Sequence, residues 1–336
     1  MGSSSEFHEI FAAEPQAGTG VPFARFMELA LYHPQAGYYA RPRRRIGRDR
    51  ESDFHTASSL GPLFGELVAA AAASLLGPAD PREFTFVEIG AEPADGDAVH
   101  GARGILPDVV NLFAGTQAIS LGQPLTLPAR CVVFSNELFD AQPCHRLVWR
   151  RGQWRELGVA LRGGVLAEVE LASVTTAVAA LSGRLPADAP EDYHLDLPLH
   201  SVALLQQIAA QPWSGLFLAF DYGKSWRELA ENTPQGTARG YSRHRQTGDL
   251  LAMPGEQDLT CHVCWDWLAD TLAGADFAAP ATVSQEAFLA RHAGKVLAPT
   301  IAEEAPRFSE RKQALMHLLH PAHMGQKFQV LHALRM

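Results

Sequence analysis

The sequence predicts an α/β fold: a parallel sheet preceded by helices, with an antiparallel lobe inserted into it. Three observations carry that expectation. The runs FTFVEIG (84–90), ARCVVFSNE (129–137) and LFLAFDYG (216–223) are short and apolar and close on polar residues, as strands of a parallel sheet buried on both faces do. Helix-period segments flank them on either side. Between the second and third runs, HRLVWRRGQWRELGVALRGGVLAEVEL (145–171) alternates and turns as antiparallel hairpins do.

Taken in order, MGSSSEF lacks the charged and apolar regions of a signal peptide. Residues 1–19 are expected to be disordered or tag-derived. Residues 20–80 form an N-terminal helical region. Its first helix carries Phe23, Phe26, Met27, Ala30 and Leu31 at helical spacing before Pro34 and Gly37 stop it. A second covers 58–77, with Ser58 or Ser59 as cap and Gly77 as stop. The sheet core takes 81–144 and 213–336, and the inserted lobe 145–212. Further helices are expected at 199–212, 258–276, 284–298 and 309–321, with a closing strand at 327–335.

The bulk numbers narrow the class of protein. A chain of 336 residues is ample for a core, and 47% hydrophobic with 19% charged residues is an ordinary soluble composition. The net charge of -9 argues against nucleic acid as a partner. The basic cluster RPRRRIGRDR (41–50) reads as a solvated loop or as a contact for an acidic partner. The longest apolar run, LVAAAAASLL (67–76), falls short of the roughly 20 residues that span a bilayer. Four cysteines in so long a chain suggest a reducing cytoplasm rather than a disulfide framework. An appended lobe and an apolar C-terminal region leave homodimer formation open.

Functional groups of an open α/β sheet gather where its strands finish, and Glu88, Glu137 and Asp221 all fall at such ends. VEIGAEP presents Gly90 after a buried strand, where the missing Cβ lets a ligand approach the backbone. Ala91, Glu92 and Pro93 then stand where further glycines would be expected. SNELFDAQP places Ser135, Asn136, Glu137 and Asp140 together. Its acids suit orienting a protic nucleophile and accepting its proton, and the Asn136 carbonyl suits an amine; the same residues also suit a helix cap. Asp53 and His55 of SDFHTASS precede a helix, where ligand contacts are common. Cys261 and Cys264 have metal spacing but no second pair, and Pro321 breaks the face that His317, His320 and His323 would share, so no metal is assigned.

Several motifs together carry a resemblance. FARFMELALYHPQAGYYA, SDFHTASSLGPLFGE, VEIGA, SNELFDAQPCHR, FDYG, GTARGYSRHR, PGEQDLTCHVCWDWL and MGQKFQVL, in this order from about residue 20 to the C-terminus, resemble the MidA-type methyltransferases. The resemblance implies a class I, Rossmann-like sheet of seven strands, S-adenosylmethionine as cofactor, and methyl transfer to a protein arginine. Mitochondrial members serve as assembly factors for respiratory complex I, so it also implies a protein partner, with a respiratory-complex subunit as candidate. Carried onto this chain, the motifs assign Asp53, Glu88, Gly90, Ala91 and Ser135 to the cofactor, Glu137, Asn136 and Asp140 to catalysis, and Asp221, Tyr222, Asp258 and His262 to substrate.

Two departures keep a second reading alongside. No acid lies between Asp108 and Glu137, where the family has one for the cofactor's ribose. The 40 residues from 91 to 130 are too few for the helices and strands of a complete cofactor half. At least one helix is expected to be missing, and a strand is the next element at risk. The alternative function is a degenerate relative that keeps the scaffold and captures a basic partner segment without the cofactor.

Overall fold

A computed structural model describes residues 3–40, 60–91, 104–242 and 245–336. The described residues divide into two units. One takes 60–91, 104–138, 205–223 and 268–336; the other takes 3–40, 139–204, 224–242 and 245–267.

The first unit is built on the apolar runs. Its sheet has six strands in the order Ala278–Ser284, Gln329–Arg335, Ser214–Asp221, Arg130–Asn136, Thr85–Ile89, Gly115–Ile119. The last four are parallel to one another, and Gln329–Arg335 runs antiparallel to both of its neighbours. On one face Phe64 of the helix Pro62–Leu75 meets Phe134 and Phe220, while Phe86 packs on Phe113 and Phe134. Each such fully buried ring contributes roughly 1.5–3 kcal/mol relative to exposure. The helix starts with Pro62 at its first position, where no amide is needed, and is followed by Gly77 at φ 64°. Ser58 and Ser59 lie outside the described residues.

The sheet has six strands among the described residues rather than the seven expected. Residues 120–129, between Gly115–Ile119 and Arg130–Asn136, form neither helix nor strand. They return to the start of Arg130–Asn136 as irregular chain instead. Gln117 donates to the Thr126 carbonyl, and the Gln211 amide accepts from Leu127 N and donates to Leu125 O.

The second unit is antiparallel. Val21–Pro22, Gln153–Arg162, His145–Arg150 and His194–Leu197 pair in that order, and Val165–Glu170 pairs with Gln153–Arg162. Leu147, Leu195 and Leu197 join Val178, Leu229 and Trp267 beneath it. The N-terminal segment, expected to be disordered, instead forms a helix, Ser3–Ala12. Phe7 and Phe11 are fully buried on it and meet the Phe26 ring edge-on. Two aromatic side chains four apart are enough to bind a short helix to a partner, and that outweighs the polar composition around them.

Two further expectations change. Residues 258–276 are not one helix: Asp258–Thr260 is a strand paired with Arg239–Ser242, and the helix is confined to Trp265–Ala273. The helix expected at 284–298 is two, Gln285–His292 and Gly294–Glu304, meeting at Ala293.

Candidate active site

The sheet aligns its polar residues on one rim. Ile89 is level with both Ile119 and Ser135, and Asn136 is level with Phe220. The rim therefore reads Ser120, Gly90, Ser135 to Glu137, then Asp221 and Tyr222, across four adjacent parallel strand ends.

Gly90 has φ 82°, and a Cβ there would stand 2.9 Å from Leu138 Cδ1. Only glycine adopts that turn without strain. Its amide and that of Ala91 both donate to the Ile119 carbonyl, which fixes the turn to the neighbouring strand. On either side of this glycine lie buried oxygens. Ser120 Oγ, Ser135 Oγ and Asn136 Oδ1 are all buried and have no hydrogen-bond partner among the described residues. An unpaired buried hydroxyl or amide oxygen costs about 1–3 kcal/mol, so three of them round one positive-φ glycine fit a polar ligand. They suit a cofactor bearing an ammonium group and ribose hydroxyls. Ser120 escaped the sequence reading, which searched this stretch for an acid; the available signal was a hydroxyl directly after an apolar strand, AIS.

Glu137 has φ 52°. A non-glycine residue there stores about 1–2 kcal/mol of strain, and such strain gathers at functional sites. Its amide donates to Phe220 O at 2.9 Å, and Asn136 Nδ2 donates to its Oε1 at 3.0 Å. That bond orients the Asn136 amide so that Oδ1 remains the acceptor.

Glu88 occupies a different place from the rim residues. It is 8% exposed and accepts a 2.6 Å hydrogen bond from Ile105 N. Burial pushes its carboxyl up to about 7, against the opposing effect of that bond. A Cβ at Gly104 would fall 2.5 Å from Glu88 Oε2, so glycine there lets the chain close on the carboxylate. Asp221 is fully buried and caps the Tyr222 amide at 2.8 Å, and the Tyr222 ring meets Phe328 edge-on.

SNELFD is divided between the two units, with Asp140 in the antiparallel one. There Asp140 and Asp258 are both buried, and the charges of both act on Tyr32 and Tyr39. Those two rings stack at 5.5 Å, and Tyr39 donates to Asp258 Oδ1 at 3.0 Å. Burial first, and then the two carboxylates, push both phenols well up. His262 is in the same unit; its pKa is lowered to about 4 by burial, then by Lys224 and Arg239. Asp53, His55, the 41–50 cluster, Glu92 and Pro93 lie outside the described residues.

Comparison with known proteins points one way. A family profile described as "Putative S-adenosyl-L-methionine-dependent methyltransferase" matches residues 119–281. A crystallised Burkholderia thailandensis protein with S-adenosyl-homocysteine bound superposes with a TM-score of 0.84 at 27% identity, over 99% of this chain and 92% of that one. These similarities agree with the resemblance to the MidA-type methyltransferases that the motifs carry. A further relative, the fruit-fly protein named protein arginine methyltransferase NDUFAF7 homolog, mitochondrial, is 26% identical over 93% of this chain and 80% of its own length. The Xenopus tropicalis protein arginine methyltransferase NDUFAF7 is 26% identical over 58% of this chain and 44% of its own.

The cytoplasmic expectation is corrected by these relatives, which are named as mitochondrial proteins. It rested on the small number of cysteines. All four are free and buried, and thiols of that kind do not distinguish one compartment from another. Among the described residues no group of three or more His, Cys, Asp or Glu is placed to hold a metal ion, and no helix is long and apolar enough to cross a membrane.

Proposed function

We propose that this chain is a MidA-type, S-adenosylmethionine-dependent methyltransferase acting on a protein arginine side chain. The observation that carries it is the set of buried, unpartnered oxygens, Ser120 Oγ, Ser135 Oγ and Asn136 Oδ1, round the positive-φ turn of Gly90. Gly90 and Ala91 would let the cofactor approach the backbone, and Ser135 and Ser120 would take its polar ends. Ser120 stands in for the ribose acid that the sequence lacks. When bound, S-adenosylmethionine supplies an electrophilic methyl group.

The chain's own residues do the rest. Asn136 Oδ1 accepts an N–H of the arginine, which orients the nitrogen's lone pair. Glu137 balances the guanidinium charge and takes the proton that the nitrogen sheds as its new N–C bond forms. Alignment of nucleophile and methyl is the main contribution such a site makes. Asp221 and Tyr222 at the rim, and Asp140, Asp258 and His262 in the antiparallel unit, are proposed as substrate-side groups. The domain plan is proposed to follow the two units. A respiratory-complex subunit is the partner to assay first, since mitochondrial members of the family serve complex I assembly; the apolar C-terminal region keeps a homodimer among the proposals.

Calorimetry with S-adenosylhomocysteine tests the reading. Micromolar binding by the folded chain, lost in Gly90→Val, supports it. Silence at millimolar ligand would overturn it and favour the scaffold reading, to which the absent ribose acid lends support.

A further inference from the structure

Two cations of the antiparallel unit, Lys224 and Arg239, have no role in the chemistry above, and both act on His262. FDYG is followed by Lys224, GTARGY contributes Arg239, and DLTCH contributes His262. Arg239 is level with Thr260 in the Arg239–Ser242 and Asp258–Thr260 pairing, two residues from His262. The charges of Lys224 and Arg239 both bear on the His262 ring.

The Arg239 guanidinium is held by its own turn rather than by a carboxylate. Nη1 donates to Ala238 O at 2.6 Å and Nη2 to Gly236 O at 3.1 Å. That turn is clamped in its place. Buried Asp196 accepts from Thr237 N at 2.5 Å, from Ala238 N at 2.8 Å and from Arg146 Nη1 at 2.9 Å. A Cβ at Gly236 would lie 2.3 Å from Asp196 Oδ2, so the close approach requires glycine. The carboxylates whose charge reaches His262 are Asp196 and Glu228, and both are committed. Asp196 serves the clamp, and Glu228 Oε2 accepts from Ser225 N and Oγ in a capping box. Among the described residues Arg239 and Lys224, both half-buried, have no ion-pair partner. Desolvating two cations without a counter-ion is costly, and a rigid guanidinium with donors to spare is pre-organised for an anion.

We propose that Lys224, Arg239 and His262 form a carboxylate-binding site that takes an acidic residue of the protein substrate. The identity of the ligand rests on the protein-methyltransferase reading. Asp196 and Glu228, within electrostatic reach, disfavour a dianion such as phosphate, whereas a planar monoanion matches one guanidinium edge, one ammonium and one imidazole N–H.

The test follows the His262 ring by NMR in the full-length protein, titrated with pH in the presence of N-acetyl-aspartate amide. N-acetyl-asparagine amide and sodium chloride at matched ionic strength serve as controls. A bound carboxylate favours the charged imidazole, so the expected result is a rise of about one unit in the His262 midpoint with the aspartate probe alone. The rise should be lost in Lys224→Met and in Arg239→Gln. Lys224→Met leaves the Asp196 clamp intact, so it separates loss of the site from loss of the turn. No change with the aspartate probe, or an equal change with chloride, overturns the site. A shift produced by S-adenosylhomocysteine instead would assign the site to the cofactor's carboxylate and overturn the substrate assignment. Calorimetric binding of S-adenosylhomocysteine, measured separately in Lys224→Met, keeps failure of this site distinct from failure of the methyltransferase reading.

Discussion

Glu88 and Ile105 are joined across seventeen residues by one short hydrogen bond, the Ile105 amide donating to Glu88 Oε2 at 2.6 Å. The bond lies one residue before the strand end that leads into Gly90. It ties the chain that follows Gly104 to the sheet, and it makes an ionisable group part of the fold beside the proposed cofactor site.

Because the Glu88 carboxyl is raised from 4.5 to about 7 in the folded chain, the folded state holds a proton that the unfolded state releases between those values. Stability from this group is therefore greatest below about pH 4.5 and declines as pH rises towards 7. The decline is on the order of 3 kcal/mol for a shift of this size. Glu88→Gln keeps an acceptor for Ile105 N and cannot ionise. Its melting temperature is expected to change less between pH 5 and pH 8 than that of the parent, and an equal dependence in both proteins would remove Glu88 as the source.

Gly90→Val should weaken S-adenosylhomocysteine binding by about tenfold or more, because a β-branched residue resists the left-handed turn. The new side chain also meets Leu138. Calorimetry reads the loss of binding, and thermal melting reads a destabilisation of about 1–2 kcal/mol. Unaltered affinity would place the cofactor elsewhere.

Glu137 separates stability from activity. Glu137→Gly relieves the strain of φ 52° and is expected to raise stability by about 1 kcal/mol, while methyl transfer falls by a hundredfold or so with the loss of the carboxylate. Glu137→Gln should lose transfer with a melting temperature close to the parent's. A large stability loss in Glu137→Gln would make the residue structural.

Phe11→Ala tests the N-terminal helix. A fully buried ring removed from the Phe7 and Phe26 cluster should cost about 3–5 kcal/mol in chemical denaturation. A cost near zero would return the segment to disorder.

Tyr39→Phe removes the hydroxyl that Asp258 Oδ1 accepts. Losing a hydrogen bond to a buried carboxylate should cost about 1.5–3 kcal/mol, read as a fall in the denaturation midpoint. A neutral substitution would show that other partners of Asp258 are sufficient.

The sequence by itself determined the central strands and the closing one. Runs such as CVVF and LFLAF are apolar on both faces, and burial on both faces leaves a parallel-sheet interior as their natural place. It also determined that polar residues follow these runs, which is why Gly90, Asn136, Glu137 and Asp221 could be named in advance as strand-end residues. The two strands it missed, Gly115–Ile119 and Ala278–Ser284, are the sheet's edges, where half-exposed residues and Pro280 leave no continuous apolar signal. Tertiary structure alone decided the rest. The left-handed turn at Glu137, the irregular return through 120–129 and the Ser120 oxygen without a partner among the described residues all depend on what lies across a strand pair. The meeting of Lys224, Arg239 and His262 depends on Asp196 holding a turn some forty residues downstream. Local pattern records which face of an element is buried, but it does not record which neighbour meets that face.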